Sequence, residues 1–216
     1  MTVGLSTMDL RADPDADLSE AVGHIRRGGV VAYPTETVYG LGGACTVEGV
    51  RNVRAVKGRS EARPLIALIE SRQAAAELEW TDAARELAEI FWPGGLTLVL
   101  RDPKATFPPG VRDPVSGGVA VRVTSHPVAA RLIAAVGGPL TSTSLNSPGE
   151  RPAMSGHEAR DVLTRFGADV WLLDAGPLPE SGPSTVVDCT TGEPIVLREG
   201  TVPIARLRCA IPGIHE

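Results

Sequence analysis

The stretch from Val30 to Gly42, VVAYPTETVYGLG, constrains the fold more than any other part of the chain. It begins as an apolar strand that stops at Pro34, because proline cannot continue a hydrogen-bonded ladder. Polar side chains follow at positions 35 to 37, and a flexible Gly-Leu-Gly closes the stretch. A strand that ends in hydroxyls, a carboxylate and glycines is typical of the carboxyl edge of an α/β sheet, where such proteins carry their chemistry.

Length and composition favour one globular domain. The chain has 216 residues, enough for one large core, and we expect a folded domain over residues 15–206 with flexible ends at 1–14 and 207–216. Mean hydropathy is +0.04, and no apolar run approaches the roughly 20 residues that a membrane span needs. No secretory signal is visible, so we expect a cytoplasmic protein. Three cysteines without Cys-x-x-Cys spacing indicate reduced thiols.

The net charge of −5 bears on the class of partner. An extended, sequence-independent nucleic-acid surface usually needs a clear basic excess, which this chain lacks. The balance still leaves room for a local cationic pocket that binds a small anion.

Strands and helices are predicted to alternate from residue 16 to residue 200, which gives an α/β fold with a mixed sheet. The last three strands are predicted to form a meander, because they lie too close in sequence for helical crossovers. Helices are predicted at 17–27, from a Thr46 cap to Lys57 and Arg59, at 71–79 and 81–91, from a Ser125 cap to 136, and from a Ser155 cap to 166. Strands are predicted at 30–33, 64–69, 96–100, 119–123, 139–144, 170–174, 184–189 and 195–198.

Several common catalytic motifs are missing from the sequence. The chain has neither common phosphate-binding glycine loop and no G-x-S-x-G elbow. Its four histidines are dispersed, without metal-ligand spacing, and His126 is interpreted as structural. If the protein is an enzyme, it therefore works by positioning and charge stabilisation.

Isolated cations suggest an anionic substrate. Lys57, Arg59 and Arg63 cluster near the end of a predicted helix, where the alternative explanation is that they complement the helix macrodipole. Arg122 lies within an otherwise apolar strand and so needs a carboxylate or phosphate partner. Arg198 lies in a second strand in the same way. Together they indicate a ligand with several negative charges.

Hydroxyl groups cluster at two other strand ends. The segment Thr141–Asn146, TSTSLN, supplies donors and acceptors without charge, and Ser184 with Thr185 does the same at the start of another strand. The alternative for the first segment is an exposed polar face followed by an Asn turn. The repeated position beside isolated arginines favours a binding site.

In these features the chain resembles the YrdC-like threonylcarbamoyl-adenylate synthases over about residues 18–204. The motifs occur in the family's order. They are YPTETVYGLG from Tyr33, Lys57-Gly-Arg59 followed by Pro64-Leu65, WPGGLT from Trp92, VRVTSHP from Val121, TSLN from Thr143, and STVVD from Ser184 with LREG from Leu197.

The resemblance implies a YrdC-like twisted mixed sheet with flanking helices and a concave cationic groove. It implies that L-threonine, bicarbonate and ATP are converted to threonylcarbamoyl-AMP and pyrophosphate. Mg²⁺ would arrive with ATP and need no dedicated protein cage. A downstream tRNA threonylcarbamoyl-transferase complex would use the product to form threonylcarbamoyladenosine.

The resemblance also implies roles for individual residues. The catalytic tetrad would be Lys57, Arg59, Ser144 and Asn146. ATP would contact Arg59, Arg63, Ser144 and Arg198. Threonine would contact Tyr33, Thr37, Arg122, Ser142 and Ser184, with Arg122 facing its carboxylate.

The sequence departs from the family pattern at three places: Leu145 replaces a small residue, Leu68 stands where some members have histidine, and the loop 147–151 is not a short Ser-Gly turn. For Glu36 we expect pairing with a nearby arginine rather than contact with the carbamate. The alternatives to a synthase are an RNA-binding module, disfavoured by the net charge, and an inactive paralogue, disfavoured by retention of the tetrad.

Overall fold

The computed structural model describes residues 4–58 and 64–216. These residues form a mixed sheet of ten strands with helices packed against it. The strands are β1 Leu5–Asp9, β2 Val30–Pro34, β3 Tyr39–Gly42, β4 Ile66–Leu68, β5 Leu96–Arg101, β6 Gly118–Arg122, β7 Leu140–Ser144, β8 Val170–Asp174, β9 Thr185–Asp188 and β10 Ile195–Arg198. The helices are α1 Ser19–Arg26, α2 Val47–Lys57, α3 Asp82–Phe91, α4 Pro127–Val136, α5 Gly156–Phe166 and α6 Ile204–Ala210, with a 3-10 helix at Arg72–Ala75.

The sheet order is β1-β8-β2-β3-β7-β4-β6-β5-β9-β10. Four pairs are parallel (β1 with β8, β2 with β8, β4 with β6, β5 with β9), and the other five neighbouring pairs are antiparallel. The strands that carry the polar motifs, β3, β7 and β6, lie at or near the middle of this order. The α/β fold with a mixed sheet is confirmed.

Strand β2 shows why the sheet is buried on both faces. Val30 and Ala32 pack into one hydrophobic cluster with α2, α3 and α5, whereas Val31 and Tyr33 pack into a second cluster with α1 and α4. Successive side chains of a strand point to opposite faces, so the two clusters lie on opposite sides of the sheet. A continuous apolar run is therefore required here.

Strand β3 corrects the prediction that the chain becomes a flexible glycine segment after Val38. Tyr39–Gly42 pairs antiparallel with β2 and with β7. A Cβ on Gly42 would lie 1.8 Å from the Thr141 carbonyl oxygen. The glycine is thus needed for close approach of β7 and not for flexibility.

The predicted meander of the last three strands is wrong. β8 lies between β1 and β2, parallel to both, whereas β9 pairs with β5 on the far side of the sheet. Of these last three strands, only β9 and β10 pair with each other, as an antiparallel hairpin. The loop between Asp174 and Thr185 is long enough to cross the molecule, which strand spacing alone does not reveal.

Two predicted helix features also need correction. The predicted helix at 71–79 is only the short 3-10 helix Arg72–Ala75. Ser125 does not cap α4, whose N-cap is His126 without a side-chain cap bond. The predicted caps Thr46 and Ser155 are confirmed, because their hydroxyls accept hydrogen bonds from the backbone N–H of Gly49 and Glu158.

Both ends that were expected to be flexible contain packed elements among the described residues. β1 pairs with β8, and Leu10 is buried in the cluster beside α1 and α4. At the other end α6 buries Leu207 in the opposite cluster, and Ile214 is buried there too. Burial of these apolar side chains against the sheet explains why both terminal segments pack onto the domain.

None of the helices in the described part of the chain is long and apolar enough to cross a membrane.

Candidate active site

A groove of about 780 Å³ crosses the sheet where β3, β7 and β6 present their polar residues. The described residues that line it include three cationic residues and one acidic residue, Glu150. The cations are Lys57, Arg122 and Arg198, and the hydroxyl and amide groups come from Thr35, Thr37, Ser142, Thr143, Ser144, Asn146 and Ser184.

One end of the groove is organised around Arg122. This arginine is only 4% exposed, and its Nη1 donates a hydrogen bond of 3.2 Å to Thr37 Oγ1. Its Nε lies 3.9 Å from Glu36 Oε1, and the Thr124 hydroxyl donates to the other oxygen of Glu36. Burial lowers the pKa of the Arg122 guanidinium, and the charge of Glu36 opposes that shift. The expected pairing of Glu36 with an arginine is confirmed.

The turn between β2 and β3 holds Thr37 against Arg122. The Thr35 hydroxyl donates to the Val38 carbonyl at 2.7 Å and accepts from the backbone N–H of Thr37 and of Val38. The Thr35 and Thr37 hydroxyls lie 2.9 Å apart. The Thr37 hydroxyl oxygen accepts from Arg122, so this turn sets the position of Thr37 at the groove. Thr35 was not among the predicted site residues, although it lies within the same motif.

Arg198 joins this end of the groove from the edge strand β10. Its Nη2 donates to the Ser184 carbonyl oxygen at 2.7 Å and to Ser184 Oγ at 3.3 Å. The Ser184 hydroxyl in turn lies 2.9 Å from Thr97 Oγ1. Burial lowers the pKa of Arg198, and the neighbouring Arg122 charge lowers it further. Two guanidinium groups therefore face the same part of the groove.

The other end of the groove is built on Lys57, in the last turn of α2. Its Nζ donates to the carbonyl of Ser144 at 2.7 Å and to Asn146 Oδ1 at 2.8 Å, and it also contacts the Asn146 carbonyl. The Ser144 hydroxyl donates to Asn146 Oδ1 at 2.7 Å. One ammonium group thus ties the end of α2 to the end of β7.

The segment after Asn146 forms a wall of the groove. Asn146 Nδ2 donates to the carbonyls of Ser147 and Glu150, at 2.9 and 3.0 Å. Arg165 of α5 pairs with the Glu150 carboxylate at 2.7 Å and also contacts the Ser147 hydroxyl. The unusual 147–151 loop is therefore fixed from behind by α5, a contact that the sequence does not reveal.

Tyr33 lies behind the groove rather than on its lining. The residue is fully buried, and its hydroxyl donates to the Thr141 carbonyl at 3.1 Å. Burial raises the pKa of Tyr33 to about 12, which the Ser142 hydroxyl and the Arg122 charge oppose. Its ring lies beneath Gly40, since a Cβ there would approach Tyr33 Cε2 to 3.4 Å.

The structure thus brings most of the predicted site residues to one groove. Arg59 and Arg63 lie outside the described residues. The members that line the groove are Thr37, Lys57, Arg122, Ser142, Ser144, Asn146, Ser184 and Arg198. Within the described residues, no group of three or more His, Cys, Asp or Glu side chains could hold a metal ion.

Comparison with known proteins decides the family. A family model named Sua5/YciO/YrdC, described as "Telomere recombination", matches residues 23–200. The chain belongs to this family. The resemblance expected from the ordered motifs is confirmed.

Relatives in the Sua5/YciO/YrdC family include named enzymes. The threonylcarbamoyl-AMP synthase of Halorhodospira halophila is 46% identical over 172 residues, with 73% of this chain and 82% of that protein covered. The synthase of Pyrococcus abyssi is 38% identical, with 90% of this chain and 57% of that protein covered, and that of Bacillus subtilis is 34% identical, with 93% and 58% covered. The chain thus spans somewhat more than half the length of these last two relatives.

Solved structures agree with the fold. The crystal structure of P. abyssi Sua5 complexed with L-threonine superposes with a TM-score of 0.86 at 32% identity, covering 98% of this chain and 62% of that one. Escherichia coli YciO superposes with a TM-score of 0.79 at 25% identity, covering 95% and 99%. The expected YrdC-like sheet with flanking helices is confirmed.

Proposed function

We propose that this protein is an L-threonylcarbamoyladenylate synthase, which converts L-threonine, bicarbonate and ATP to threonylcarbamoyl-AMP and pyrophosphate. One observation carries the proposal: Arg122, Arg198 and Lys57 converge with strand-end hydroxyls on a single groove. The synthases among its relatives support the assignment. An RNA-binding module or an inactive paralogue is not favoured.

The Arg122 end of the groove suits an amino acid. A buried guanidinium that already donates one hydrogen bond to Thr37 keeps further N–H groups for a carboxylate, which it can bind in a bidentate manner. Hydroxyls of Thr37, Ser142 and Ser184 line the same region and can exchange hydrogen bonds with an ammonium and a hydroxyl group. We assign threonine to this end.

The Lys57 end suits the nucleotide. Lys57 contributes a positive charge next to the Ser144 carbonyl and the Asn146 side chain, and Ser144 contributes a hydroxyl beside it. Such a group stabilises negative charge that develops on phosphate oxygens in the transition state. We assign the triphosphate to this end, with Arg59 and Arg63 expected to reach it from the adjoining segment.

The reaction needs alignment more than covalent catalysis. The amine of threonine combines with bicarbonate to give a carbamate and water, and a carbamate oxygen then attacks the α-phosphorus of MgATP and displaces pyrophosphate. The substrates supply the nucleophile, so the protein's task is to hold two anions in line and neutralise their charge. Mg²⁺ enters on the phosphates as part of the substrate, with its remaining positions filled largely by water.

The product is a reactive mixed anhydride that needs an acceptor. We propose that a tRNA threonylcarbamoyl-transferase complex consumes it, and that both steps take place in the cytoplasm.

Pyrophosphate release, measured with purified protein and MgATP, tests the proposed function. We expect release only when L-threonine and bicarbonate are both present, with threonylcarbamoyl-AMP detected by mass spectrometry in equal amount. ATP turnover that is unchanged without threonine would contradict the assignment. Retention of labelled tRNA without any turnover would instead favour the RNA-binding alternative.

A further inference from the structure

The half-buried acid Glu36 stands out because it is close to the groove but is not among the residues that line it. Its side chain is 19% exposed, and its Oε1 lies 3.9 Å from Arg122 Nε. Within the described part of the chain, neither of these two atoms has a hydrogen-bond partner. The pair therefore interacts through charge, at a separation where water often bridges polar groups. The Nη edge of the guanidinium remains available to a ligand.

The position of Glu36 is fixed by neighbouring groups. The Thr124 hydroxyl donates to Glu36 Oε2, and Thr124 Oγ1 accepts from the backbone N–H of His126 at 3.2 Å. The imidazole of His126 adds little positive charge here, because burial lowers its pKa although Glu36 opposes the shift. Among the residues that the structure describes, Arg122 is thus the cation that faces this carboxylate.

The charge balance of this end depends on Glu36. Arg122 and Arg198 line the same groove, where their guanidinium groups donate to the hydroxyls of Thr37 and Ser184. Two adjacent guanidinium groups without a countercharge are a typical site for phosphate. With Glu36 behind Arg122, that pair is neutral, and the summed charge of these three described side chains is one positive charge instead of two.

We propose that Glu36 is a specificity-determining residue, which neutralises Arg122 so that this end of the groove accepts a zwitterionic amino acid and excludes phosphate dianions. The inference rests on the proposed function, because it takes threonine as the ligand at Arg122. Exclusion matters there, since a phosphate group of ATP, or released pyrophosphate, at Arg122 would block threonine. A fixed repulsive charge behind an attractive one is a common way to reject a competing ligand.

The expected size of the effect follows from charge alone. An additional negative charge on a ligand at Arg122 lies about 7 Å from Glu36, and this repulsion weakens binding by roughly tenfold to fiftyfold at an effective dielectric constant of 20–40. Threonine carries an ammonium as well as a carboxylate, so its affinity depends much less on Glu36.

Calorimetric titration of L-threonine in the presence of competing anions tests the proposal. In the wild type, acetate should weaken threonine binding, whereas sulfate, a dianion, should not. In the Glu36→Gln variant, sulfate and inorganic phosphate should become competitors of threonine, with their affinity at this site increased roughly tenfold or more. Glutamine can still accept the Thr124 hydrogen bond, so the variant changes charge with little change in shape.

The Glu77→Gln variant is a matched control, since Glu77 forms an exposed ion pair with Lys104. It removes the same charge and should leave anion competition unchanged. In Glu36→Gln/Arg122→Gln, the new competition should disappear, because the guanidinium that attracts the dianion is gone.

The proposal would be overturned if sulfate competed with threonine as effectively as acetate does in the wild type. This test does not require any variant to fold. A folded Glu36→Gln protein whose sulfate affinity is unchanged would also overturn the proposal, even if that variant has lost threonine binding. If the wild type binds no threonine, the proposed function fails. The role of Glu36 is then still decided by titrating sulfate into the Glu36→Gln variant and into the wild type and comparing the two affinities.

Discussion

The two ends of the groove carry cations in different settings. At one end Arg122 is buried and faces the carboxylate of Glu36. At the other end Lys57 is half-buried, and its described acceptors are carbonyl and amide oxygens of Ser144 and Asn146. The first setting matches a ligand without net charge, such as an amino acid. The second presents an ammonium group beside the hydroxyl and amide groups at the end of β7, a combination that suits the phosphate chain of ATP.

The largest expected effect comes from Lys57→Ala. Loss of the ammonium should reduce the rate of threonylcarbamoyl-AMP formation by roughly a hundredfold to a thousandfold, the usual cost of losing a preorganised donor. Threonine affinity should stay within about twofold, because Arg122 is untouched. Steady-state kinetics with calorimetry measure both. Near-full activity would remove Lys57 from the nucleotide end.

Arg122→Gln should act on the opposite end. We expect threonine to bind roughly tenfold to a hundredfold more weakly, because a charge-assisted hydrogen bond to its carboxylate is lost. The free energy of unfolding should fall by about 3 kcal/mol, since Glu36 is left without a countercharge. Urea denaturation measures this loss, and Glu36→Gln/Arg122→Gln should recover part of it. Equal loss of ATP and threonine affinity would break the distinction between the two ends.

A smaller effect is expected from Arg165→Met, which frees the wall of the groove. The Arg165–Glu150 pair is half-exposed, at 53% for each side chain, so it should contribute at most about 1 kcal/mol. We expect the KM for ATP to rise roughly two- to fivefold, with the KM for threonine unchanged. A rise confined to threonine would show that the 147–151 loop serves the other end.

The smallest effect is expected from Tyr33→Phe. The variant removes one buried hydrogen bond to the Thr141 carbonyl and should lower the free energy of unfolding by about 1 kcal/mol. Threonine affinity should change by less than about twofold, because the Tyr33 hydroxyl lies behind the groove. Thermal unfolding and calorimetry separate these outcomes. A large loss of threonine affinity would restore Tyr33 as a ligand contact.

Much of the fold could be predicted from local sequence signals. Branched apolar runs mark the buried strands, and the hydroxyls of Thr46 and Ser155 mark helix starts because they satisfy free backbone N–H groups. Strand β3 escaped prediction because glycines usually weaken a strand. Here Gly42 is retained because β7 approaches too closely for a side chain.

The order of strands could not be read in the same way. β8 leaves its sequence neighbour β9 and pairs with β1 and β2, a choice made by long-range burial of Leu172 and Val170. The same packing orders β1, whose short sequence LSTMD has little strand character of its own.

The site was more predictable than the topology, because a charged side chain in an apolar strand demands a partner. Arg122 pointed to such a partner, and Glu36 supplies it. Thr124 was missed, since nothing local shows that its hydroxyl donates to Glu36, a residue 88 positions away in the sequence. Arg165 was missed because its contact with the groove wall joins residues that are 15 or more positions apart.

A crystal structure of the wild-type protein with L-threonine and a non-hydrolysable ATP analogue tests the division of the groove most directly. The predicted result places the threonine carboxylate within hydrogen-bond distance of the Arg122 guanidinium and the phosphate chain at Lys57. Phosphate oxygens bound to Arg122, with threonine at Lys57 or elsewhere, would contradict it.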